Sequence, residues 1–227
     1  MATLASNRKG FIVGASQTSY GDALASTTGA ATDSATGDQN AIQYFKNTGR
    51  GGGTFRFIRT FIHFDTSGIS GASSISLQLT ATAGDASDGL HNTIAIKHSA
   101  GSSNGSALSS GDFDNIDRST TYSNSTAFGS SGTITFNLNA AAATQINNNN
   151  DFNVALVLAL DQAQEEEDPL ETSGDITNGI AFSSAINLVY TAAATGYTHK
   201  VLGVAAANIG KVNTVATANI GKINTVD

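Results

Sequence analysis

An all-β chain is what this sequence predicts: a two-sheet antiparallel jelly-roll sandwich with one short helix and an extended C-terminal repeat tail. Three observations predict it. Apolar and polar residues alternate with period two over most of residues 11–191, the pattern of half-buried antiparallel strands. Clusters of Gly, Ser, Asn and Asp punctuate that alternation, and there is a single proline, Pro169, as many short strands joined by turns require. The last 32 residues repeat an eleven-residue unit three times, too short a unit to bury its own apolar side chains.

Each element has its own signal. Residues 11–13 and 42–45 are short apolar stretches separated by a long Ser/Thr/Ala/Gly segment. The run FRFIRTFIHFD at 55–65 places Ile58, Ile62 and Phe64 on one face, and Phe57 and Phe61 on the other with Arg59, His63 and Asp65. Such a strand is central or covered on both faces. In ISLQLTA, at 75–81, Ile75, Leu77, Leu79 and Ala81 share one side and Ser76, Gln78 and Thr80 the other. Residues 94–98, 134–138, 152–160, 180–182 and 186–190 read as further strands. Asn139 before AAAATQI at 140–146 predicts the helix, since an asparagine oxygen can accept from the first free amides of a helix. Eight or nine strands with so little helix imply two packed antiparallel sheets. The expected division is an arm at 1–9, the sandwich at 10–191 and the tail at 192–227.

Composition narrows the function classes. Lys and Arg total 11 against 18 Asp and Glu, a net charge of −7. That balance argues against nucleic acid, whose affinity comes from neutralising phosphates. Lys46, Arg50, Arg56 and Arg59 lie close together and read as a solvated loop followed by a strand face. With no cysteine, disulfides and thiol chemistry are excluded. The N-terminal apolar stretch is five residues long, too short for a signal-peptide core, and no run reaches the ~20 residues of a membrane span. The expectation is a protein made in the cytoplasm, with no membrane partner.

Candidate chemistry is sparse. Asp112, Asp114, Asn115 and Asp117 in SGDFDNIDRS are closely spaced oxygen ligands that could hold Ca²⁺. Ile116 and Arg118 break the EF-hand pattern, and a solvated turn is the alternative reading. Otherwise no cofactor is expected. Asp65 is expected to cap the turn at Ser67. The acidic run 165–168 reads as an exposed loop, because adjacent carboxylates repel. His63 with Asp65 is the best-placed pair among four histidines, a hydrogen-bonded histidine being the plainer alternative to a metal ligand. Gly51–Gly53 lead into Thr54-Phe55 rather than a Lys-Ser/Thr step, so nucleotide hydrolysis finds no support. A glycan site would use exposed aromatic faces. With no Trp, the candidates are Tyr20, Tyr44 and Tyr122, with Tyr197 in the tail.

The stretch RTFIHFDTSGISGASSISLQLTATA, with NLNAAAATQI at 137–146 and AINLVYT at 185–191, resembles a jelly-roll module of phage virion proteins and carbohydrate-binding-like extracellular domains, the DNRLRE or disaggregatase-like family. Phe64-Asp65-Thr66-Ser67 stand where that family's strand runs into its turn. The turn departs from the pattern, reading Gly-Ile-Ser-Gly where a proline commonly follows the isoleucine. The tail is similar to C-terminal segments of marine bacteriophage structural proteins. Its expected assembly residues are Lys200, Val201, Val204, Ile209, Lys211, Val212, Val215, Ile220, Lys222, Ile223 and Val226. Glycines, asparagines and β-branched residues there favour short extended pieces over helix. The resemblance implies a non-enzymatic virion protein: a capsid decoration or short appendage that contacts other virion proteins such as the major capsid protein. It also implies a homo-oligomer, a trimer by analogy with surface jelly rolls. The alternative is a receptor- or glycan-binding module that meets a host surface glycan.

Overall fold

The computed structural model describes residues 1–33, 40–49, 53–85, 92–98, 107–164, 175–193, 211–212 and 215–216. Two compact units result, Met1–Thr191 and Ala192–Asp227. The acidic run 165–168, Arg50, Tyr197 and, of the expected assembly residues, Lys200, Val201, Val204, Ile209, Ile220, Lys222, Ile223 and Val226 lie outside the described residues.

The first unit is built from β1 (Ala2–Ala5), β2 (Arg8–Gly14), β3 (Gly29–Asp33), β4 (Asn40–Asn47), β5 (Thr54–Asp65) and β6 (Ser73–Asp85). These are followed by β7 (Asn92–His98), β8 (Ile116–Thr121), β9 (Thr126–Ala127), β10 (Gly132–Asn137), β11 (Asp151–Leu158) and β12 (Ile176–Thr191). The chain is all-β, and these twelve strands form one continuous hydrogen-bonded network ordered β10-β6-β12-β4-β5-β11-β7-β8, with β1, β2, β3 and β9 paired off that path. Every pairing is antiparallel. The first nine residues, read from sequence as an arm, enter this network, because Ala2–Ala5 pair with 187–190 of β12.

β5 decides the topology. At Ile58 it pairs with Gln43 of β4 and Val13 of β2, and at Thr60 with Leu156 of β11 and Phe11 of β2. A strand has two edges, so β4 and β11 both occupy the edge opposite β2, one on each side of Arg59. The ladder therefore forks at Arg59 into a β4–β12–β6–β10 limb and a β11–β7–β8 limb. Thr60, fully buried, closes the fork by donating its hydroxyl to the Ala41 carbonyl at 2.8 Å. β12 forks in the same way, since β1 and β4 both lie opposite β6.

The core follows the alternation. Ile75, Leu77, Leu79 and Ala81 of β6 are buried with Ile134 and Phe136 of β10 and Ile180, Phe182, Ile186 and Leu188 of β12. Residues 57–64 of β5 are buried without a break, as a strand covered on both faces requires. Apolar burial of this kind contributes roughly 25 cal/mol per Å².

Among the described residues three α-helices are present where one was expected. α2 (Ala140–Asn148) is the expected helix, and Asn139 accepts from the amides of Ala141 and Ala142. α1 (Tyr20–Leu24) is capped by Ser19, which accepts from Asp22, and it buries Tyr20, Ala23 and Leu24. At five residues it is too short to print a helical period on the sequence. α3 (Ala159–Ala163) replaces the end of the strand expected at 152–160. Alternation there was misleading, because Asp161 is drawn into the interior by a partner 102 residues away.

In the second unit, β13 (Lys211–Val212) pairs antiparallel with β14 (Val215–Ala216), Lys211 opposite Ala216 and Val212 opposite Val215.

Candidate functional site

At one end of β5 and β11, polar side chains converge on an open cavity of about 510 Å³ lined by Asn7, Arg8, His63, Asp65, Ser67, Asn150 and Asp151. Strand register brings them together. Arg8 and Asn153 lie opposite His63 on its two sides, and Asp65 lies directly opposite Asp151. The two carboxylates are a like-charged cross-strand pair, an arrangement that costs stability by itself. His63 stands beside the pair: its Nδ1 meets Asn153 Oδ1 at 2.9 Å and its Nε2 lies 3.5 Å from Asp151. Asp65 accepts from the Ser67 amide at 3.0 Å, the expected turn cap. The Ser67 hydrogen bonds hold its carboxyl below the usual carboxylate range.

This cavity can accept from and donate to hydroxyl groups. The Ser67 side chain is turned onto Asp65, and both ring nitrogens of His63 face partners of their own. That His63 and Asp65 share a face was legible in sequence. That Asp151 and Arg8 join them was not, because cross-strand register is a property of the fold.

The calcium candidates do not converge. Asp112 accepts from the Ser109 amide and hydroxyl at 2.8 and 3.1 Å, closing the 3-10 turn at Ser110–Asp114. Asp114 accepts from Arg118 at 3.0 Å. Asp117 accepts from the Ser119 amide at 3.0 Å and the Thr120 hydroxyl at 2.9 Å. The Ser119 hydroxyl, which also donates to Asp117, and then the Thr120 hydroxyl hold the Asp117 carboxyl below its ordinary range. Each carboxylate is used by its own turn or arginine, and among the described residues no three metal-ligating side chains come together.

The proposed aromatic platforms are interior. Tyr20, Tyr44 and Tyr122 are 4%, 0% and 2% exposed. Tyr20 packs edge-on against Tyr44 at 5.6 Å, and Tyr122 stacks near Phe152 at 5.0 Å. Burial pushes the Tyr122 phenol up to about 12. A sugar cannot stack on rings that the core already covers. Strand alternation does not apply to Tyr20, which sits on α1, or to Tyr122, which follows β8, while Tyr44 lies on β4 two residues from the buried Ile42.

The basic cluster also disperses. Lys46 lies 5.8 Å from the Phe55 ring centre, Arg56 lies 4.4 Å from that of Phe45, and Arg59 is fully buried. The Arg59 guanidinium forms a fork on Asp161, donates to the Phe113 carbonyl at 2.7 Å and stacks on the Phe113 ring at 3.9 Å. Arg118 joins the group, 3.5 Å from Asp161. Its chemistry is structural, tying β5, β8, α3 and the 3-10 turn. The only sequence signal for it was a charged residue within each of two apolar runs, at Arg59 and Asp161.

His98 is neutral in the fold. Burial lowers its pKa to about 4, against the opposing effects of the Asn115 carbonyl and Asp112, and its ring lies 4.6 Å from that of Phe61. Among the described residues, no helix is long and apolar enough to cross a membrane. No family model matches this chain, and neither does any curated protein.

Proposed function

We propose that this chain is a non-enzymatic structural protein of a bacteriophage virion, a capsid decoration or short surface appendage whose jelly-roll body is anchored by its C-terminal repeats. The observation that carries the reading is the separation of Ala192–Asp227 as a compact unit of its own, with antiparallel pairing inside the repeat at Lys211–Ala216 and Val212–Val215. A two-stranded pairing this short is marginal in water without further packing, and a unit of 36 residues without cysteine lacks the means that usually stabilise so small a fold. Both facts favour a tail completed by contact with a partner. The jelly-roll reading of the body is supported by the fork at Arg59, where one long strand feeds two diverging limbs, as a strand shared by two facing sheets does. The partners in this reading are other virion proteins, such as the major capsid protein, and further copies of the chain.

The test is binding of the full chain and a K200E/K211E/K222E variant to empty capsids. Wild-type binding with at least tenfold loss in the variant supports the anchor. Equal binding by the two, or none by either, overturns it.

A second reading, a glycan- or receptor-binding module, is favoured by the polar cavity at His63, Asp65 and Asp151. In that reading the full chain binds host cells, and D65N/D151N abolishes the binding while capsid attachment persists.

A further inference from the structure

Among the described residues, no strand is hydrogen-bonded to the outer edge of β10. β10 pairs with β6 from Gly132↔Ala81 to Asn137↔Ser76, and among the described residues no other strand pairs with it. The next residues do meet a neighbour, since Ser123 bridges Leu138 and the Asn139 amide donates to the Tyr122 carbonyl at 2.8 Å. The open length is therefore residues 132–136.

Backbone direction along that length follows from one bond. The Leu138 amide donates to the Ile75 carbonyl of β6 at 2.9 Å, and backbone groups alternate between the two edges of a strand. Ile134 and Phe136 thus spend theirs on β6, while the amides and carbonyls of Thr133 and Thr135 point away from the sheet. The Thr133 and Thr135 side chains are exposed, and those of Ile134 and Phe136 are buried.

Exposed edges in soluble proteins are usually blunted by a charge, a proline or a bulge. β10 has none of these: it reads GTITFN and keeps unbroken register with β6. Its neighbours on the sheet are equally bare, since β1 and residues 73–84 and 176–191 of β6 and β12 carry no Lys, Arg, Asp or Glu. The rest of the body is strongly acidic. After Thr191 the chain has three lysines against one aspartate, Asp227, so its net charge of −7 leaves −9 on residues 1–191. Two copies of such a body repel one another wherever charged faces meet, and the uncharged stretch made by β1, β10 and residues 73–84 and 176–191 lets them approach.

We infer that the β10 edge is an interface with a second copy of this chain, formed by antiparallel pairing about a two-fold axis through Ile134. The register is self-consistent. Thr133 pairs with Thr135 of the other copy and exchanges both backbone hydrogen bonds, and the symmetric Thr135–Thr133 pair does the same. Ile134 meets Ile134 on the buried face, while all four threonines stay on the outer one. An axis between two residues would set a threonine against Ile134 or Phe136 and mismatch the faces. The inference deepens the assembly reading and rests on it for the premise that copies of this chain meet.

The experiment is sedimentation equilibrium of the full chain with three variants. T135P removes an amide that β6 does not use, a change tolerated at strand edges. T133K/T135K leaves the backbone intact and sets ammonium groups against each other across the axis. K211E alters the tail alone. The expected result is a reversible wild-type dimer, at least tenfold weakened in T135P and T133K/T135K and unchanged in K211E, with Thr133 and Thr135 amide exchange slowing as protein concentration rises. A wild type that stays monomeric overturns the inference. So does a dimer that survives T133K/T135K, or one lost only in K211E, which would place self-association in the tail.

Discussion

Arg59 and Asp161 form a two-pronged ion pair in the interior, Nε and one terminal nitrogen of the guanidinium each 2.7 Å from a separate carboxylate oxygen. Both side chains are shielded, at 0% and 1% exposure, and the pair sits where β5 forks. Removing Asp161 leaves the buried Arg59 charge with only the partly exposed Asp114 carboxylate, 3.8 Å away, and breaking a buried pair in this way costs about 3–5 kcal/mol. Asp161→Ala is expected to lose that much in urea unfolding. Arg59→Met combined with Asp161→Leu is expected to lose much less, because an apolar pair strands no charge. Equal losses in the two proteins would mean that packing, and not charge pairing, sets the cost.

Gly179 lies on β12 with φ at +150°, between β4 and β6. A Cβ there would stand 2.1 Å from the Ile42 carbonyl oxygen. The obstacle is backbone and cannot rotate aside. Gly179→Ala is expected to destabilise by more than the roughly 1 kcal/mol of an ordinary glycine effect. Gly68, with open space around its Cβ position, serves as the matched control, and thermal unfolding of both variants checks the difference.

Asn139 serves two elements at once. Its Oδ1 caps α2 through the Ala141 and Ala142 amides, and its Nδ2 donates to the Thr121 carbonyl at 2.7 Å. Asn139→Ala is expected to cost about 1–2 kcal/mol. Asn139→Asp, which keeps the cap and loses the donor, should cost less, and chemical denaturation of the two reports the split.

His98 makes stability depend on pH. Its folded pKa of about 4 lies below the ordinary histidine value of 6.5, so between those values the unfolded chain binds a proton that the folded chain does not. Stability from this group is complete above pH 6.5, falls as the pH drops towards 4 and is flat below that, a loss on the order of 3 kcal/mol. Asp65 and Asp117 add smaller losses at lower pH, as acid protonates carboxyls whose folded pKa lies below 3.8. Urea midpoints measured across pH 4–7 should show the His98 slope, and His98→Gln should flatten it.

Local pattern carried far where one residue could state its own environment. Ile75, Leu77 and Leu79 read as inward and are inward, and Asn139 read as a helix cap and is one. Asp65 read as a turn cap and is one. It failed where the deciding partner was distant. Asp161 broke the expected strand because Arg59 holds it, and Tyr20, Tyr44 and Tyr122 left the surface because α1, β5 and β11 cover them.

The sequence by itself determined the all-β class, most strand positions, the acid-rich body and the eleven-residue period of the tail, because alternation, charge and repetition are properties of neighbours along the chain. Tertiary structure alone decided the fork at Arg59, the meeting of Asp65 with Asp151 and the open edge of β10. Those follow from which strand lies beside which and in what register, and nothing within one strand encodes its neighbour.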